Sequence, residues 1–194
     1  MNSSNTQSNT NKIGFYPCCG NDILNPLKIM KGMVDEVIFC EKYASHTLRK
    51  LGRERILKKA IEGGLPIPTF RIEDVRSAIP NLPKIHIYFY RGDSFEGGSN
   101  LYLLNQKWLA KVLEHFPKKG GLIITDGSNH DRHFRKIIRP SGYHWSAIGY
   151  QFKPVNPTDE VLGRVRKGGG PHLYFIQVER VNGTQNENSQ GFLV

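Results

Sequence analysis

Ile13-Gly-Phe-Tyr-Pro-Cys-Cys-Gly-Asn-Asp22 opens on an apolar run that stops at a proline and a glycine-containing turn. Such a run suits a buried strand. Over Asp22 to Lys31 the pattern changes. Ile23, Leu24, Leu27 and Met30 repeat at helical spacing, and Pro26 can occupy a first turn, where its missing N–H costs little. Val34-Asp-Glu-Val-Ile-Phe-Cys40 reads as a second strand. Ala44 to Glu62 reads as one long basic helix ending at Gly63-Gly64. Thr69 to Val75 predicts a third strand, and Ile85-His-Ile-Tyr-Phe-Tyr90 a fourth.

Asn100 to Phe116 predicts a helix, because Leu101, Leu104, Trp108, Leu109, Val112, Leu113 and Phe116 keep to one face. Lys118-Lys-Gly-Gly121 then turns the chain into Leu122-Ile-Ile-Thr125, a fifth strand, and a short helix is expected near Asp131 to Ile138. Tyr143 to Phe152 and Pro171 to Glu179 read as two late strands forming a hairpin, joined by a loop of proline, glycine and charge without a helix. Alternation of this kind means an α/β fold: a mostly parallel sheet between two layers of helices, with an antiparallel edge from the final hairpin. One unit is expected over residues 13–180, with a disordered tail over 1–12 and a polar C-terminal tail over 181–194.

The remaining composition narrows the class. The chain has 194 residues, 38% hydrophobic and 23% charged, which excludes collagen-like, coiled-coil and wholly disordered chains. With 27 Lys+Arg against 17 Asp+Glu the formal net charge is +10, which favours contact with nucleic acid or another polyanion. The three cysteines make neither a disulfide framework nor a Cys-x-x-Cys zinc pair, so no metal site is expected. No apolar stretch is long enough to span a membrane, and residues 1–12 lack a signal-peptide core; the expected location is the reducing cytoplasm, without membrane contact.

In open α/β sheets ligands bind beyond the carboxyl ends of the strands. The residues there are Tyr16, Pro17, Cys18, Cys19, Gly20, Asn21 and Asp22 after the first strand, then Glu41, then Glu73-Asp74, then Arg91-Gly-Asp-Ser94. On these residues, on the acid closing the second strand and on Phe116-Pro-Lys-Lys-Gly-Gly-Leu-Ile-Ile-Thr-Asp126, the chain resembles class I S-adenosylmethionine-dependent methyltransferases. The resemblance covers roughly residues 13–180 and implies the three-layer Rossmann-like methyltransferase fold. The family's first motif is acid-x-Gly-x-Gly-x-Gly. Here Tyr16 stands near the acid, Cys18 replaces the first glycine, Gly20 keeps the second and Asp22 replaces the third. Phe15-Tyr-Pro-Cys-Cys-Gly20 is also similar to the Pro-Leu-Cys-Gly turn of thiopurine-type methyltransferases.

The resemblance implies S-adenosylmethionine as cofactor, held over Tyr16 to Asp22, with Glu41 on the ribose hydroxyls and Asp74 on the adenine amino group. Asn21 and Asp22 either meet its methionine part or cap the next helix. Arg91 and Asp93 fall where the family faces the acceptor, Arg91 to hold an anion and Asp93 to orient or deprotonate a nucleophile. The Asn-Pro-Pro-Tyr type motif is absent, which argues against base N-methylation. After the fifth strand, His130 is a candidate base, with Asp131 and His133 beside it. Arg49, Lys50, Arg53, Arg55, Lys58 and Lys59 make the helix after the second strand basic, and Arg132, Arg135, Lys136 and Arg139 add charge later. Two other readings stand beside methyl transfer. One is a domain that kept the fold, lost the cofactor and binds nucleic acid or protein. The other is a different enzyme using Asp93 and His130 on an anionic small molecule.

Overall fold

The computed structural model describes residues 11–44, 46–91, 106–127, 145–167 and 172–181. Eight strands form one sheet: β1 (Ile13–Pro17), β2 (Glu36–Glu41), β3 (Ile67–Ile72), β4 (Ile87–Tyr90), β5 (Gly121–Thr125), β6 (Trp145–Ala147), β7 (Tyr150–Pro154) and β8 (Tyr174–Arg180). Their spatial order is β3-β2-β1-β4-β5-β8-β7-β6. The first five are parallel to one another, and β8, β7 and β6 continue the sheet antiparallel, each to its neighbour. This is a three-layer Rossmann-like α/β fold, a mostly parallel sheet with an antiparallel C-terminal edge.

The central strands are covered on both faces, so they read as unbroken apolar runs. All four residues of β4, Ile-Tyr-Phe-Tyr, are buried. Successive side chains alternate between two cores. Phe15, Ile38, Cys40, Tyr88, Tyr90, Ile123 and Ile176 face one; Tyr16, Val37, Phe39, Phe89, Ile124 and Phe175 face the other. Helices α4 (Val75–Ala78) and α5 (Gln106–Leu113) cover the first core. Helices α1 (Leu24–Ile29) and α3 (Arg53–Glu62) cover the second, together with α6 (Asp159–Lys167). Among the described residues no helix is long and apolar enough to cross a membrane.

Three expectations are corrected. The basic helix after β2 is two helices, α2 (His46–Leu51) and α3, because Gly52 adopts φ 75°, ψ 152° between them. A left-handed φ ends a helix, and glycine takes it without a Cβ clash. The two late strands pair antiparallel as expected, but the first, expected over Tyr143 to Phe152, is two strands, β6 and β7, and a helix precedes the second. That helix, α6, lies between β7 and β8, and the tight hairpin is β6–β7, turned on Ile148 (φ 49°) and Gly149 (φ 78°). The sequence signs of α6 are a Thr158 whose Oγ1 accepts the Val161 N–H at 3.4 Å, acids in the first turn and bases in the last. The third strand starts earlier than Thr69, at Ile67, and ends at Ile72, because Asp74 is already the N-cap of α4. Residues 100–105 of the expected Asn100–Phe116 helix, the helix expected near Asp131 to Ile138, and residues 1–10 and 182–194 lie outside the described residues.

Candidate cofactor site at the strand switch point

From β1 the chain goes to β2 and β3 on one side, then returns to β4 on the other side of β1. The carboxyl ends of β1 and β4 therefore flank a crevice that no crossover covers, the usual place for a ligand in such a sheet. Two links hold the turn after β1. The Cys18 N–H donates to the Cys40 carbonyl at 2.7 Å, continuing the β1–β2 ladder by one step. The Gly20 N–H donates to Glu41 Oε2 at 2.8 Å, and the Lys42 N–H donates to Oε1 at 3.1 Å. A carboxylate offers about four acceptor positions, so Glu41 retains capacity for a pair of hydroxyl donors.

Cys18 and Gly20 both have φ 51°. The cysteine thus takes a left-handed conformation where the resembled family carries its first glycine, at a cost of order 1–3 kcal/mol, the kind of strain that collects at functional turns. A Cβ on Gly20 would meet nothing within 4 Å, so the backbone there borders open space into which another molecule can approach closely.

Asp22 is the hub on the other side. Its Oδ2 accepts from the Tyr16 hydroxyl at 3.3 Å and from Arg91 Nη1 at 3.0 Å, and Asn25 also hydrogen-bonds the carboxylate. The Asp22 and Arg91 side chains are only 24% and 18% exposed. Burial raises the Asp22 carboxyl above its ordinary range, and Arg91 and the hydrogen bonds partly offset this. The Tyr16 phenol is pushed far up, by burial and then by the Asp22 charge, and stays protonated as a donor. Asp22 does not cap α1: the N-cap is Ile23, with no side-chain cap bond. The Asp22–Arg91 pair joins residues 69 apart in the chain, and only the strand order β1-β4 brings them together.

Asp74 sits apart from this hub. It caps α4, taking the Arg76 N–H at 2.9 Å and Arg76 Nε at 2.8 Å on Oδ1, with the guanidinium's second nitrogen on Oδ2. Those hydrogen bonds hold its carboxyl well below the usual range. Cys19 is buried, and burial and then the Glu41 charge push its thiol up; Cys40 is pushed up to about 12, chiefly by burial. A protonated thiol is a poor nucleophile. Pro17 closes β1 beneath the turn. Asp93, His130, Asp131 and His133 lie outside the described residues. Among the described residues no three His, Cys, Asp or Glu side chains are grouped to hold a metal ion.

No family model matches the sequence, and no curated protein matches it. Solved structures do. A methyltransferase from Geobacter sulfurreducens is 12% identical, with 89% of this chain and 72% of that one covered and a TM-score of 0.48. An antibiotic-related methyltransferase is 15% identical, covering 88% of each chain, with a TM-score of 0.46. A 16S rRNA methyltransferase is 12% identical, covering 89% and 88%, with a TM-score of 0.43. These are similarities of fold alone.

Proposed function

We propose that this chain is a methyltransferase that takes its methyl group from S-adenosylmethionine, bound at the β1/β4 switch point. The observation that carries the reading is the convergence there of two kinds of group. Glu41 presents a carboxylate against an open, left-handed glycine turn, and Asp22 and Arg91 form a half-buried ion pair beside it. The cofactor's chemistry matches both. Its ribose offers a hydroxyl pair to Glu41, and its amino-acid tail carries one ammonium and one carboxylate, which Asp22 and Arg91 can each take in exchange for their partner. When bound, the cofactor supplies an electrophilic methyl on a sulfonium.

The chain's own part is positioning. Tyr16 and Asn25 fix the Asp22 carboxylate, Asp22 fixes Arg91, and the Gly20–Glu41 bond fixes the turn. Holding two reactants in line supplies much of such a reaction's rate. Asp93, two residues after Arg91, is the group assigned to the acceptor's proton. Asp74, committed to Arg76, joins the site through a free lone pair at most.

Calorimetric titration with S-adenosylmethionine and S-adenosylhomocysteine tests the reading. Saturable micromolar binding is expected, and Glu41→Ala should weaken it about tenfold or more, the worth of a charge-assisted hydrogen bond. Folded protein that binds neither ligand at millimolar concentration would refute the reading and leave the fold as a binding module.

A further inference from the structure

Residues 42–62 hold seven Lys and Arg and two Glu, a net of +5, half of the chain's +10 within 21 positions. The structure turns this charge outward. Lys42, Arg49, Lys50, Arg53, Arg55, Lys58 and Lys59 are all exposed, while Ile56 and Ala60 take the buried face of α3. Within the described residues only Lys58 of these seven forms an ion pair, with Glu62 at 3.8 Å. At the upper end, directly after Glu41, Tyr43 stands 68% exposed with the Lys42 ammonium 5.4 Å from its ring centre.

A run of seven cations, of which only Lys58 forms an ion pair within the described residues, and which begins at an exposed aromatic ring, matches one chemistry best: a chain of phosphates carrying flat bases. We propose that the outer face of α2 and α3 binds a polynucleotide backbone, with Tyr43 as the platform on which an unpaired base stacks. Other occupants fit less well. A second copy of this chain would set +5 against +5. A membrane surface wants an apolar face below the cations, and the outward apolar residues of α3 are Leu57 and Ile61 alone. The inference reaches beyond methyl transfer and does not require it, since binding is read without cofactor.

The test is fluorescence anisotropy of the full chain with labelled 20-nucleotide single-stranded RNA, single-stranded DNA and a duplex of the same sequence. Raising salt from 50 to 200 mM should weaken single-strand binding about 50-fold, for about four phosphate contacts at a slope near −0.7 each. Arg49→Ala/Lys50→Ala/Arg53→Ala should reduce that slope by about 2. Tyr43→Ala should cost single-strand binding about fivefold or more and leave the duplex unchanged. Lys118→Ala/Lys119→Ala, in the turn before β5, three strands away from β2 in the sheet, should change nothing; circular dichroism confirms that each variant is folded. A preference for RNA or DNA would identify the sugar and support the proposal either way. It is overturned by an absence of saturable binding at 50 mM salt, or by an equal loss from the Lys118/Lys119 variant. Equal or tighter binding of polyglutamate or of phosphatidylserine vesicles would also overturn it.

Discussion

Asp22 and Arg91 carry a testable asymmetry. Burial disfavours the Asp22 charge and Arg91 restores part of it. Arg91→Met therefore leaves a carboxylate in a poorly solvated place, and should cost about 2 kcal/mol at pH 7, below the range for a fully buried pair because both groups are partly wet. A carboxyl whose folded pKa is raised lends stability below its unfolded pKa and loses it as pH rises through the folded value. The Arg91→Met deficit should thus shrink as the pH is lowered from 7 to 4, whereas the Asp22→Asn/Arg91→Met double variant should show no such recovery. Urea melts across that range read it, and a deficit independent of pH would mean that Asp22 is not the group responsible. At this scale the sequence was legible in part. Strand ends could be placed from apolar runs, which put Tyr16, Glu41 and Arg91 at one edge. The partner of Arg91 could not, because a contact over 69 residues follows from strand order and not from local pattern. Nor does local pattern show that Arg76 engages both oxygens of Asp74, the residue the resemblance sets on the adenine amino group.

At the scale of elements, the turn Lys118-Lys-Gly-Gly121 has a packing reason. Gly120 has φ 89°, and a Cβ there would overlap the Val178 carbonyl of β8; one on Gly121 would stand 2.6 Å from Phe116 Cδ2 and 2.8 Å from the His86 carbonyl. The two glycines let β5 enter the sheet beside β8. Gly120→Ala should therefore cost about 3 kcal/mol, combining a left-handed conformation with overpacking against backbone. Gly20→Ala, also at positive φ but facing open space, should cost only the conformational part, about 1–2 kcal/mol. Equal losses in chemical denaturation would contradict the packing account. The same glycine logic explains the elements misjudged from sequence. Gly52 sits inside a continuous helical pattern, where its left-handed φ leaves no trace in hydropathy. In α6, Gly163 and the prolines upstream masked a helix whose cap and charge pattern were present. The parallel strands, defined by apolar content alone, were readable to within a few residues, whereas the turn at Ile148-Gly149 that splits Tyr143 to Phe152 into β6 and β7 was not.

The whole molecule joins two halves, a parallel half from β3 to β5 and an antiparallel half from β8 to β6. The sheet joins them through β5–β8, both apolar cores run across that join, and Arg164 adds a polar link above it. Arg164 of α6 reaches the carboxyl end of α1, where Nη1 donates to the carbonyls of Lys28 at 3.2 Å, Ile29 at 3.3 Å and Lys31 at 2.5 Å, and Nη2 pairs with Glu160 at 3.0 Å. Carbonyls at a helix end lack partners and carry partial negative charge, so a guanidinium satisfies both needs. The Arg164 side chain is 18% exposed, against 79% for Glu160, so the carbonyl bonds carry the energy and the ion pair is screened. Arg164→Ala should lower stability by about 2 kcal/mol, the range of hydrogen bonds to a charged donor. Glu160→Gln should change it by less than about 0.5 kcal/mol. Because the lost bonds join the halves, the urea transition of Arg164→Ala should also broaden, as the two halves begin to unfold separately. A variant within 0.5 kcal/mol of the parent and with an unchanged slope would show that β5–β8 pairing and the shared apolar cores join the halves without help from Arg164.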